Sequence, residues 1–425
     1  MARREAPAAG PGSRALIVDV IRSAAEISRV ELADLTGLTQ PSISNIVRDL
    51  IADGIIHEVG SADSIRGKPR KLIAIKPANR FGIGFHLGPD TVTCVAVDLT
   101  GGVVGREVVP RLSADRLAGR FDDFTAGLDL PRGRIEGLAI VAPTPYPGDA
   151  FALGGLPALR ADPAGQGLPA PAAGLAEQGL PALRADLAER LGLPVMVEND
   201  AAAAALGEFW SRRVSREQAF GCIYLGTGIG AGFVFGGALF RGASFDAGEL
   251  GHMSIHYDGL ECPCGNRGCV ERYASMPAVV ATARADHALN GRLGLDTMAT
   301  TSSAYDAVAR AAVSGDVTAF DVLDRAAGHL SVAATSMVNL LDLGRVVLTG
   351  PGAALAGSIY ARRLRAHLER TAHSRKRHPI LVELSAQPRD AAAIGAAALI
   401  VQAAVAPGHT SAPAGSAQPA GGRPG

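Results

Sequence analysis

Residues 248–271 read GELGHMSIHYDGLECPCGNRGCVE, a stretch that holds His252, His256 and three of the chain's five cysteines. Cys262 and Cys264 are too close in sequence to pair with each other, and the two glycines after them allow the chain to curl so that Cys269 returns beside them. Three thiolates and His252 would form a closed, four-coordinate ligand set, which is typical of a structural zinc site. The alternative is three buried core cysteines and an unrelated histidine; the regular spacing favours zinc.

The composition indicates a globular chain of more than one domain. Its 425 residues, 48% of them hydrophobic, exceed what one core usually holds. The formal net charge is zero, so any nucleic-acid signal has to be local. No uncharged apolar run reaches about 18 residues, and residues 1–12 have no apolar stretch after their arginines, so we expect neither a membrane span nor a signal peptide. Cysteines in a metal pattern without secretory context predict a reducing, cytoplasmic location.

Changes in composition along the chain predict the domain boundaries. Residues 1–13 and 406–425 are rich in Ala, Pro and Gly and are predicted to be disordered. Short helical patterns and a basic hairpin occupy residues 14–78. Strand patterns alternating with Ala/Leu helices occupy residues 79–405, which is typical of α/β layers. Strands are predicted within 82–97, 103–109, 135–141, 195–197, 221–225, 232–235 and 341–350, and helices at 186–191, 201–213, 305–314, 317–340 and 391–405.

A low-complexity insertion interrupts the second region. The octapeptide GLPALRAD occurs at residues 155–162 and again at 179–186. A single duplication does not make a stacked repeat, which needs at least three copies. We therefore predict a flexible surface insertion over about residues 148–178, from its Pro/Ala/Gly composition.

The first region has the pattern of a winged helix-turn-helix. Residues 15–23 form an apolar helical pattern, Ser28 can cap a second helix that ends at Gly37, and Thr39 can cap a third. A basic β-hairpin, the wing, follows. Helical spacing predicts that the following residues face the core: Leu32 and Leu35 in the second helix, and Ile43, Ile46, Val47 and Leu50 in the third.

The outward face of the third helix and the wing are candidates for DNA contact. A short polar N-terminal half is typical of a recognition helix, and clustered cations on a wing can bind phosphates. The candidate DNA-binding residues are Thr39, Gln40, Ser42, Ser44, Asn45 and Arg48 in the helix, and Arg66, Lys68, Arg70 and Lys71 in the wing. The alternative is a helical protein-interaction domain with a solvated basic loop; four cations within six residues favour DNA.

A glycine-rich segment, LGTGIGAG at residues 225–232, lies between two predicted strands. Backbone N–H groups at Gly226, Gly228 and Gly230, with the hydroxyl of Thr227, could hold a phosphate. The segment lacks the lysine of a Walker loop and is followed by a strand, so a tight hairpin explains it equally well.

Residues 198–200 (Glu-Asn-Asp) end a predicted strand and begin a helix. Asp200 at the edge of a sheet could be a general base for a sugar hydroxyl. It could equally be the N-cap of the helix, where aspartate is favoured.

Together, the segments VENDAAAAALGE (197–208), GTGIGAGFVFGGALFRGASFDAGELGH (226–252) and CPCGNRGCVE (262–271) resemble the ROK family of repressors, open reading frames and sugar kinases, part of the actin-like ATPase superfamily. The resemblance covers about residues 14–402. It implies an α/β fold in which an N-terminal winged helix-turn-helix precedes a two-lobed actin-like ATPase domain, sugar-kinase-like and ribonuclease H-like, with a sugar between the lobes.

The resemblance also implies roles for individual residues. Asn199 and Asp200 would hydrogen-bond sugar hydroxyls, and Asp200 would be the catalytic base in a kinase member. Glu249, His252 and Glu271 would hold further hydroxyls. His252 would also ligate the structural zinc through its other nitrogen, together with Cys262, Cys264 and Cys269.

Departures from the kinase pattern distinguish a regulator from an enzyme. Family kinases carry Asp-x-Gly-Gly-Thr where this chain has His86-Leu-Gly-Pro-Asp90, and a neutral imidazole cannot replace a hard oxygen ligand for magnesium. The chain therefore resembles a repressor-type member, similar to xylose- and N-acetylglucosamine-type repressors. Such a regulator would bind operator DNA and a sugar effector as a homodimer or homotetramer, with no membrane partner.

Two alternatives remain open. One is a hexose or N-acetylhexosamine kinase that uses Mg-ATP and carries a DNA-binding domain; His86 argues against it. The other is a purely structural or interaction protein, which would make the ordered set of predicted sugar-site residues a coincidence.

Overall fold

The computed structural model describes residues 11–62, 70–142, 175–215, 218–243 and 246–405. The chain divides into two compact units, Met1–Ile75 with Gln402–Gly425, and Lys76–Val401. We call them the small unit and the large unit. The predicted disorder of residues 1–10 and 406–425, and the predicted insertion over residues 148–174, lie outside the described residues.

The small unit is a winged helix-turn-helix, as predicted. Its elements are α1 (Pro11–Ala24), β1 (Ile27–Ser28), α2 (Arg29–Thr36), α3 (Gln40–Ala52), β2 (Ile56–Ala62) and β3 (Arg70–Ile75). Strand β3 pairs antiparallel with both of the others, in the order β1-β3-β2. The β2–β3 hairpin is the predicted wing.

Capping residues determine where α2 and α3 begin and end. At the start of α2, the Glu31 N–H donates to the Ser28 hydroxyl (3.3 Å), and the Glu31 carboxylate accepts the Ser28 N–H (2.9 Å). Gly37, at φ 68°, ends α2 in the left-handed region. Thr39 begins α3 by accepting the N–H of Ser42 at 3.4 Å. These boundaries confirm the predicted caps.

The prediction that Leu35 faces the core is wrong, because its side chain is 65% exposed. Helix α2 has only 8 residues and ends at Gly37. The turn then brings Leu38 into the core, so Leu38 takes the place predicted for Leu35. The other predicted core residues are buried (Leu32, Ile43, Val47, Leu50) or partly buried (Ile46).

The large unit alternates strands and helices. Its first part contains β4 (Phe81–Leu87), β5 (Thr91–Asp98), β6 (Val103–Pro110), α4 (Leu117–Gly127), β7 (Ile135–Ala142), α5 (Leu175–Leu191), β8 (Val195–Asn199) and α6 (Asp200–Ser211). The remainder contains β9 (Phe220–Leu225), β10 (Ile229–Phe235), β11 (Ala238–Leu239), α7 (Glu271–Ala274), α8 (Met276–Ala285), α9 (His287–Leu293), α10 (Thr301–Val313), α11 (Val317–Leu341), β12 (Arg345–Thr349), α12 (Ala353–Thr371), β13 (Leu381–Leu384) and α13 (Ala391–Val405).

Two sheets of the large unit repeat one topology. Their strand orders are β6-β5-β4-β7-β8 and β11-β10-β9-β12-β13. In each, the first three strands in chain order pair antiparallel, and the last two join in parallel. This duplication is the two-lobed, ribonuclease H-like architecture predicted from the resemblance, with one sheet in each lobe.

Two segments predicted to be flexible are helical at their ends. Residues 11–13 belong to α1, and proline in a first turn costs no hydrogen bond because the N–H groups there have no partner within the helix. Helix α5 includes residues 175–178 and the second GLPALRAD copy. Leu183 and Leu187, later in α5, are buried, so packing stabilises the helix to which residues 175–178 also belong.

Glycines allow a helix to lie directly on each sheet. On β4, a Cβ added to Gly82 or Gly84 would lie 2.2 Å from a carbonyl oxygen of α13. On β10, a Cβ added to Gly230 or Gly232 would lie 2.6 or 2.5 Å from atoms of α6. Real Cβ atoms do not approach so closely, so these positions require glycine for packing.

Helices α6 and α13 cross at a contact between backbones. A Cβ added to Gly395 would lie 1.7 Å from the carbonyl oxygen of Ala203, and one added to Gly207 would lie 2.8 Å from the Gly395 nitrogen. The helix on one sheet thus touches the helix on the other with no side chain between them. We call this contact the glycine crossing.

Among the described residues, none of the helices combines the length and the apolar character that crossing a membrane requires.

Candidate functional site

The four predicted metal ligands lie together. One ring nitrogen of His252 and the Sγ atoms of Cys262, Cys264 and Cys269 are all within 4.8 Å of one another. Cys264 Sγ is 3.7 Å from Cys269 Sγ, and Cys262 Sγ is 3.6 Å from His252 Nδ1. Zinc–sulfur bonds of about 2.3 Å at tetrahedral angles separate sulfur atoms by about 3.8 Å. The cluster therefore has the donor set and the spacing to hold a metal ion.

Tight turns build the loop that carries the thiols. The Cys262 N–H donates to the carbonyl of Asn266 at 2.9 Å. Gly265 and Gly268 have φ of 92° and 69°, where a side chain would be strained. A Cβ at Gly268 would also lie 1.7 Å from the carbonyl oxygen of His256. The two glycines thus allow the curl that the sequence predicted.

Burial affects the thiols of this cluster. It is the main cause that raises the pKa of Cys269 to about 12, and it raises the pKa of Cys262 as well. A thiolate is the form that ligates metal, and a bound cation stabilises that form. The cluster is therefore suited to metal ligation and not to nucleophilic chemistry.

His252 lies between the thiol cluster and a group of carboxylates. Its Nδ1 faces Cys262, while its Nε2 is 3.8 Å from Glu249 Oε2. The two ring nitrogens therefore face different partners. A metal on Nδ1 would fix the orientation of the ring and of Nε2.

Asp200 is the first residue of α6 and is only 6% exposed. Its Oδ2 lies 3.8 Å from Nε2 of His86, which is itself buried in β4. Tyr224 contacts the same histidine edge-on, with 6.4 Å between ring centroids. Burial, reinforced by the Asp200 charge, raises the pKa of the Tyr224 hydroxyl well above its usual value. A buried carboxylate thus lies beside an imidazole near a neutral phenol.

Asn199, and not Asp200, is the N-cap of α6. Its side-chain oxygen accepts the N–H groups of Ala201 (2.8 Å) and Ala202 (3.2 Å). The alternative that Asp200 caps the helix is therefore wrong, because the residue before it occupies that position.

Glu249 and Glu271 lie close enough to affect each other electrostatically. Glu271 Oε2 accepts the N–H of Ile229 at 2.9 Å, which fixes this carboxylate against β10. Partial burial raises the pKa of Glu249; His252 opposes this effect, and the charges of Glu271 and Asp200 add to it. Glu249 therefore lies close enough to His252, Glu271 and Asp200 to interact with their charges.

The glycine-rich segment forms a hairpin turn between β9 and β10, in which Leu225 pairs with Ile229. The Gly226 N–H donates to the Gly228 carbonyl at 2.9 Å, so the turn itself uses this donor. A Cβ at Gly228 would lie 2.6 Å from the Glu271 carboxylate. Packing and turn geometry account for these glycines. Phosphate binding by the segment stays a prediction.

Sequence reasoning did not find two neighbours of the site. Glu198, buried at the end of β8, accepts Nε–H of Arg241 at 2.7 Å. Tyr224 lies in a strand that reads as uniformly apolar. Glu198 directly precedes Asn199 and Asp200, but its partner Arg241 is distant in sequence. Tyr224 is likewise distant from Asp200, so no local spacing indicates either contact.

The family follows from a match over most of the large unit. A model of the ROK family matches residues 175–403, which is more than half of the chain. The chain belongs to the ROK family. A second model, for winged helix-turn-helix DNA-binding domains, matches residues 15–57 in the small unit.

Individual ROK proteins are similar over long stretches. The putative xylose repressor of Caldicellulosiruptor sp. (strain Rt8B.4) is 28% identical over 393 residues, which cover 92% of this chain and 95% of the relative. A solved ROK family transcriptional regulator, a homologue of the Escherichia coli Mlc protein, has a TM-score of 0.67 at 24% identity, covering 92% of this chain and 97% of that one. A ROK family glucokinase from Streptomyces griseus, solved with glucose and AMPPNP, has a TM-score of 0.57 at 28% identity, covering 75% and 98%.

The candidate recognition helix of this ROK protein presents its polar residues outward. Arg48 donates to the side-chain oxygen of Asn45 at 2.8 Å, so these two side chains are held together. The exposed candidates are Thr39, Gln40, Ser44, Asn45 and Arg48, and Ser42 is partly buried. This face is accessible to a large ligand.

The wing carries less uncompensated charge than its sequence indicates. Lys71 is exposed but forms an ion pair with Glu58 of the neighbouring strand. Glu58 also lies 3.6 Å from Arg29. Arg70 is exposed at the start of β3. The remaining candidates, Arg66 and Lys68, lie outside the described residues.

Proposed function

We propose that this ROK protein is a sugar-responsive transcriptional repressor. The small unit binds operator DNA, and a sugar effector binds in the large unit around Asp200. The observation that carries the proposal is the position of His86 beside Asp200 in a chain that also has a winged helix-turn-helix. The similarity to a putative xylose repressor along 95% of its length supports the same assignment.

The sugar site we propose is a set of hydroxyl-binding groups. Asp200 accepts one sugar hydroxyl, and the side-chain N–H of Asn199 donates to another. Glu249, Glu271 and the Nε2 side of His252 hold further hydroxyls. Sugar hydroxyls exchange hydrogen bonds with water for those with the protein, and bonds to charged groups contribute about 1.5–3 kcal/mol each. Several such groups close together support selective recognition of a small polyol.

Phosphoryl transfer is poorly supported at the same site. It requires magnesium bound by hard oxygen ligands next to the phosphate chain. The position where family kinases have an aspartate holds His86, and the side chain of His86 faces Asp200. Imidazole is a poor ligand for magnesium, so the arrangement favours binding over catalysis.

The metal we propose is a structural zinc. Three thiolates and one imidazole match the preference of zinc and leave no open position for a reacting water. The ion would hold the loop of residues 252–269 and, through His252, one wall of the sugar site. We also propose that the protein acts as a homodimer, since operator half-sites usually match a two-fold symmetric protein.

A sugar can control DNA binding only if it binds two states of the protein with different affinity. We propose that lobe closure around the sugar distinguishes these states. The coupling is reciprocal, so operator DNA changes the affinity for the sugar by the same factor.

The first test measures sugar binding and turnover in the same sample. We expect D-xylose or D-glucose to raise the melting temperature of the protein, while Mg-ATP with the same sugar yields no ADP above the background. The control is the Asp200→Asn variant, which should lose the stabilisation. Sugar-dependent ADP formation that disappears in Asp200→Asn would contradict the proposal.

That contrary result would favour the second candidate, a hexose or N-acetylhexosamine kinase using Mg-ATP. Its supporting observation is the 28% identity to a glucokinase solved with glucose and AMPPNP. Stabilisation by neither sugar would leave other pentoses, hexoses and N-acetyl sugars as the next probes in the same assay.

Arg70→Ala tests the wing. We expect the variant to bind all DNA sequences about two- to tenfold more weakly, because one phosphate contact is lost. The slope of the logarithm of the binding constant against the logarithm of the salt concentration should become smaller by about 0.9. Binding is measured by fluorescence anisotropy between 50 and 200 mM salt. The matched control is Arg310→Ala, an exposed arginine of α10 in the large unit. Loss confined to a single operator position would show that Arg70 reads a base instead.

A further inference from the structure

A strongly basic segment lies in the large unit, away from the predicted DNA-binding residues in sequence. Residues 362–378 read RRLRAHLERTAHSRKRH and contain seven Lys or Arg residues, three His and one Glu. The whole chain balances 41 Lys and Arg against 41 Asp and Glu. The segment therefore concentrates positive charge in an otherwise neutral protein, and the sugar site does not use it. We call it the basic segment.

The first half of the basic segment forms the last turns of α12, with its arginines on the exposed side. Arg362, Arg363 and Arg370 are exposed, whereas Leu364 and Leu368 pack into the core. Arg363 and Arg370 are seven residues apart, which places them on the same side of the helix, about 10 Å apart along its axis. Consecutive turns of α12 thus present guanidinium groups in a row.

The second half is a turn that the protein holds firmly. Ala372 and Ser374 are buried, and the His373 N–H donates to the side-chain oxygen of Asn339 at 2.8 Å. The Arg375 guanidinium donates to the carbonyl of Ala372 at 2.7 Å. The side chains of the next two residues, Lys376 and Arg377, are exposed. A fixed backbone therefore presents three consecutive cations.

Nearby acidic groups compensate only part of this charge. Asp324 lies 3.5 Å from Arg363, and Asp342 lies 3.2 Å from His378. Glu369 is the single acid within the segment. Arginine forms bidentate hydrogen bonds with phosphate oxygens, and exposed cations gain most from a polyanion with closely spaced charges. Duplex DNA carries one charge per about 1.7 Å of its axis.

We propose that the basic segment binds the phosphate backbone of DNA and forms a second DNA contact in addition to the winged helix-turn-helix. The proposal rests on the proposed function as a DNA-binding repressor. Charge complementarity favours DNA over an acidic protein, because neighbouring exposed cations match the closely spaced phosphates of a duplex. In the wing, part of the positive charge is compensated, since Glu58 pairs with Lys71 and lies near Arg29. A contact of this kind adds affinity without adding sequence specificity.

The test reverses charge in the full-length protein. The variant Arg375→Glu/Lys376→Glu/Arg377→Glu is compared with a control carrying the same charge change at exposed arginines elsewhere in the large unit, Arg116→Glu/Arg184→Glu/Arg310→Glu. Binding to a 40-base-pair duplex of arbitrary sequence is measured between 50 and 200 mM salt. The variant would remove about three phosphate contacts. We expect binding at least about tenfold weaker than in the control, and a salt slope smaller by about 2 to 3.

A milder variant, Arg375→Gln/Arg377→Gln, checks the result without reversing charge and should lower the slope by about 2. Affinity and slope equal to those of the control would overturn the proposal. A change in oligomeric state by sedimentation, with the slope unchanged, would overturn it as well and identify the segment as an interface between copies. If Arg70→Ala weakens DNA binding and the basic-segment variants do not, the proposed function stands without this inference. If the original protein itself does not bind DNA, the proposed function fails too.

Discussion

Cys264→Ser is expected to abolish binding of the metal ion and to lower the melting temperature of the large unit by at least about 10 °C, since a structural zinc contributes roughly 10 kcal/mol or more of apparent binding free energy. Cys264 is itself exposed, so the substitution removes almost no packing. The loss should therefore act through the ion, which holds the loop of residues 252–269. The measurements are zinc content by mass spectrometry and thermal unfolding, with and without a chelator.

Cys94→Ala provides the matched control. Cys94 is buried in β5 and is not part of the ligand cluster, so this variant should keep one zinc per chain and lose only packing energy. Unchanged metal content and melting in Cys264→Ser would refute the zinc site. Loss of metal with unchanged melting would show that the ion does not stabilise the fold.

The second large effect is expected for Asp200→Asn. The substitution preserves the size of a buried side chain but removes the charge that accepts a sugar hydroxyl, and bonds to charged groups contribute about 1.5–3 kcal/mol. We expect the affinity for the sugar to fall by about 10- to 100-fold and the sugar response of DNA binding to disappear at moderate sugar concentration. Affinity for DNA without sugar should stay within about twofold of the original, because Asp200 belongs to the large unit.

Asp122→Asn serves as the control, since Asp122 is an exposed residue of α4 outside the proposed site. Titration calorimetry with the sugar found in the first test, together with anisotropy on DNA, separates the two effects. A sugar response of normal size in Asp200→Asn would exclude Asp200 from the effector site. A parallel loss of DNA affinity without sugar would indicate misfolding instead.

The sequence predicted the parts of this protein that depend on local chemistry. The ligand spacing around Cys262 required only two glycines and short turns, and the caps at Ser28 and Thr39 needed only neighbouring residues. Parts that depend on distant partners were missed. Tyr224 lies near Asp200 only because α6, which begins at Asp200, packs against β9 of the second sheet, and no spacing within β9 indicates this.

Some elements escaped prediction because their composition opposes their structure. The short strand β13 has four residues without clear apolar alternation, so packing against the second sheet decides its conformation. Helix α12 was missed because of its many arginines, although its buried residues Tyr360, Leu364 and Leu368 recur at helical spacing. Helix α5 begins at Leu175, before the helix predicted at residues 186–191 and within a segment of Pro/Ala/Gly composition, and buried leucines stabilise it. Leu35 shows the converse, since helical spacing placed it inward and the turn at Gly37 replaced it with Leu38.

The glycine crossing bears on how a small ligand could change the angle between the two lobes. Where Gly395 meets Ala203, backbone touches backbone, so a change in the crossing angle meets no interlocked side chains and requires no change of rotamer. Such a contact resists a change in crossing angle less than interdigitated side chains would. Under the proposed lobe closure, the few hydrogen bonds that a single sugar provides would then be enough to set the angle between the two lobes. A side chain at residue 395 would collide with the carbonyl oxygen of Ala203 and block such a change of angle.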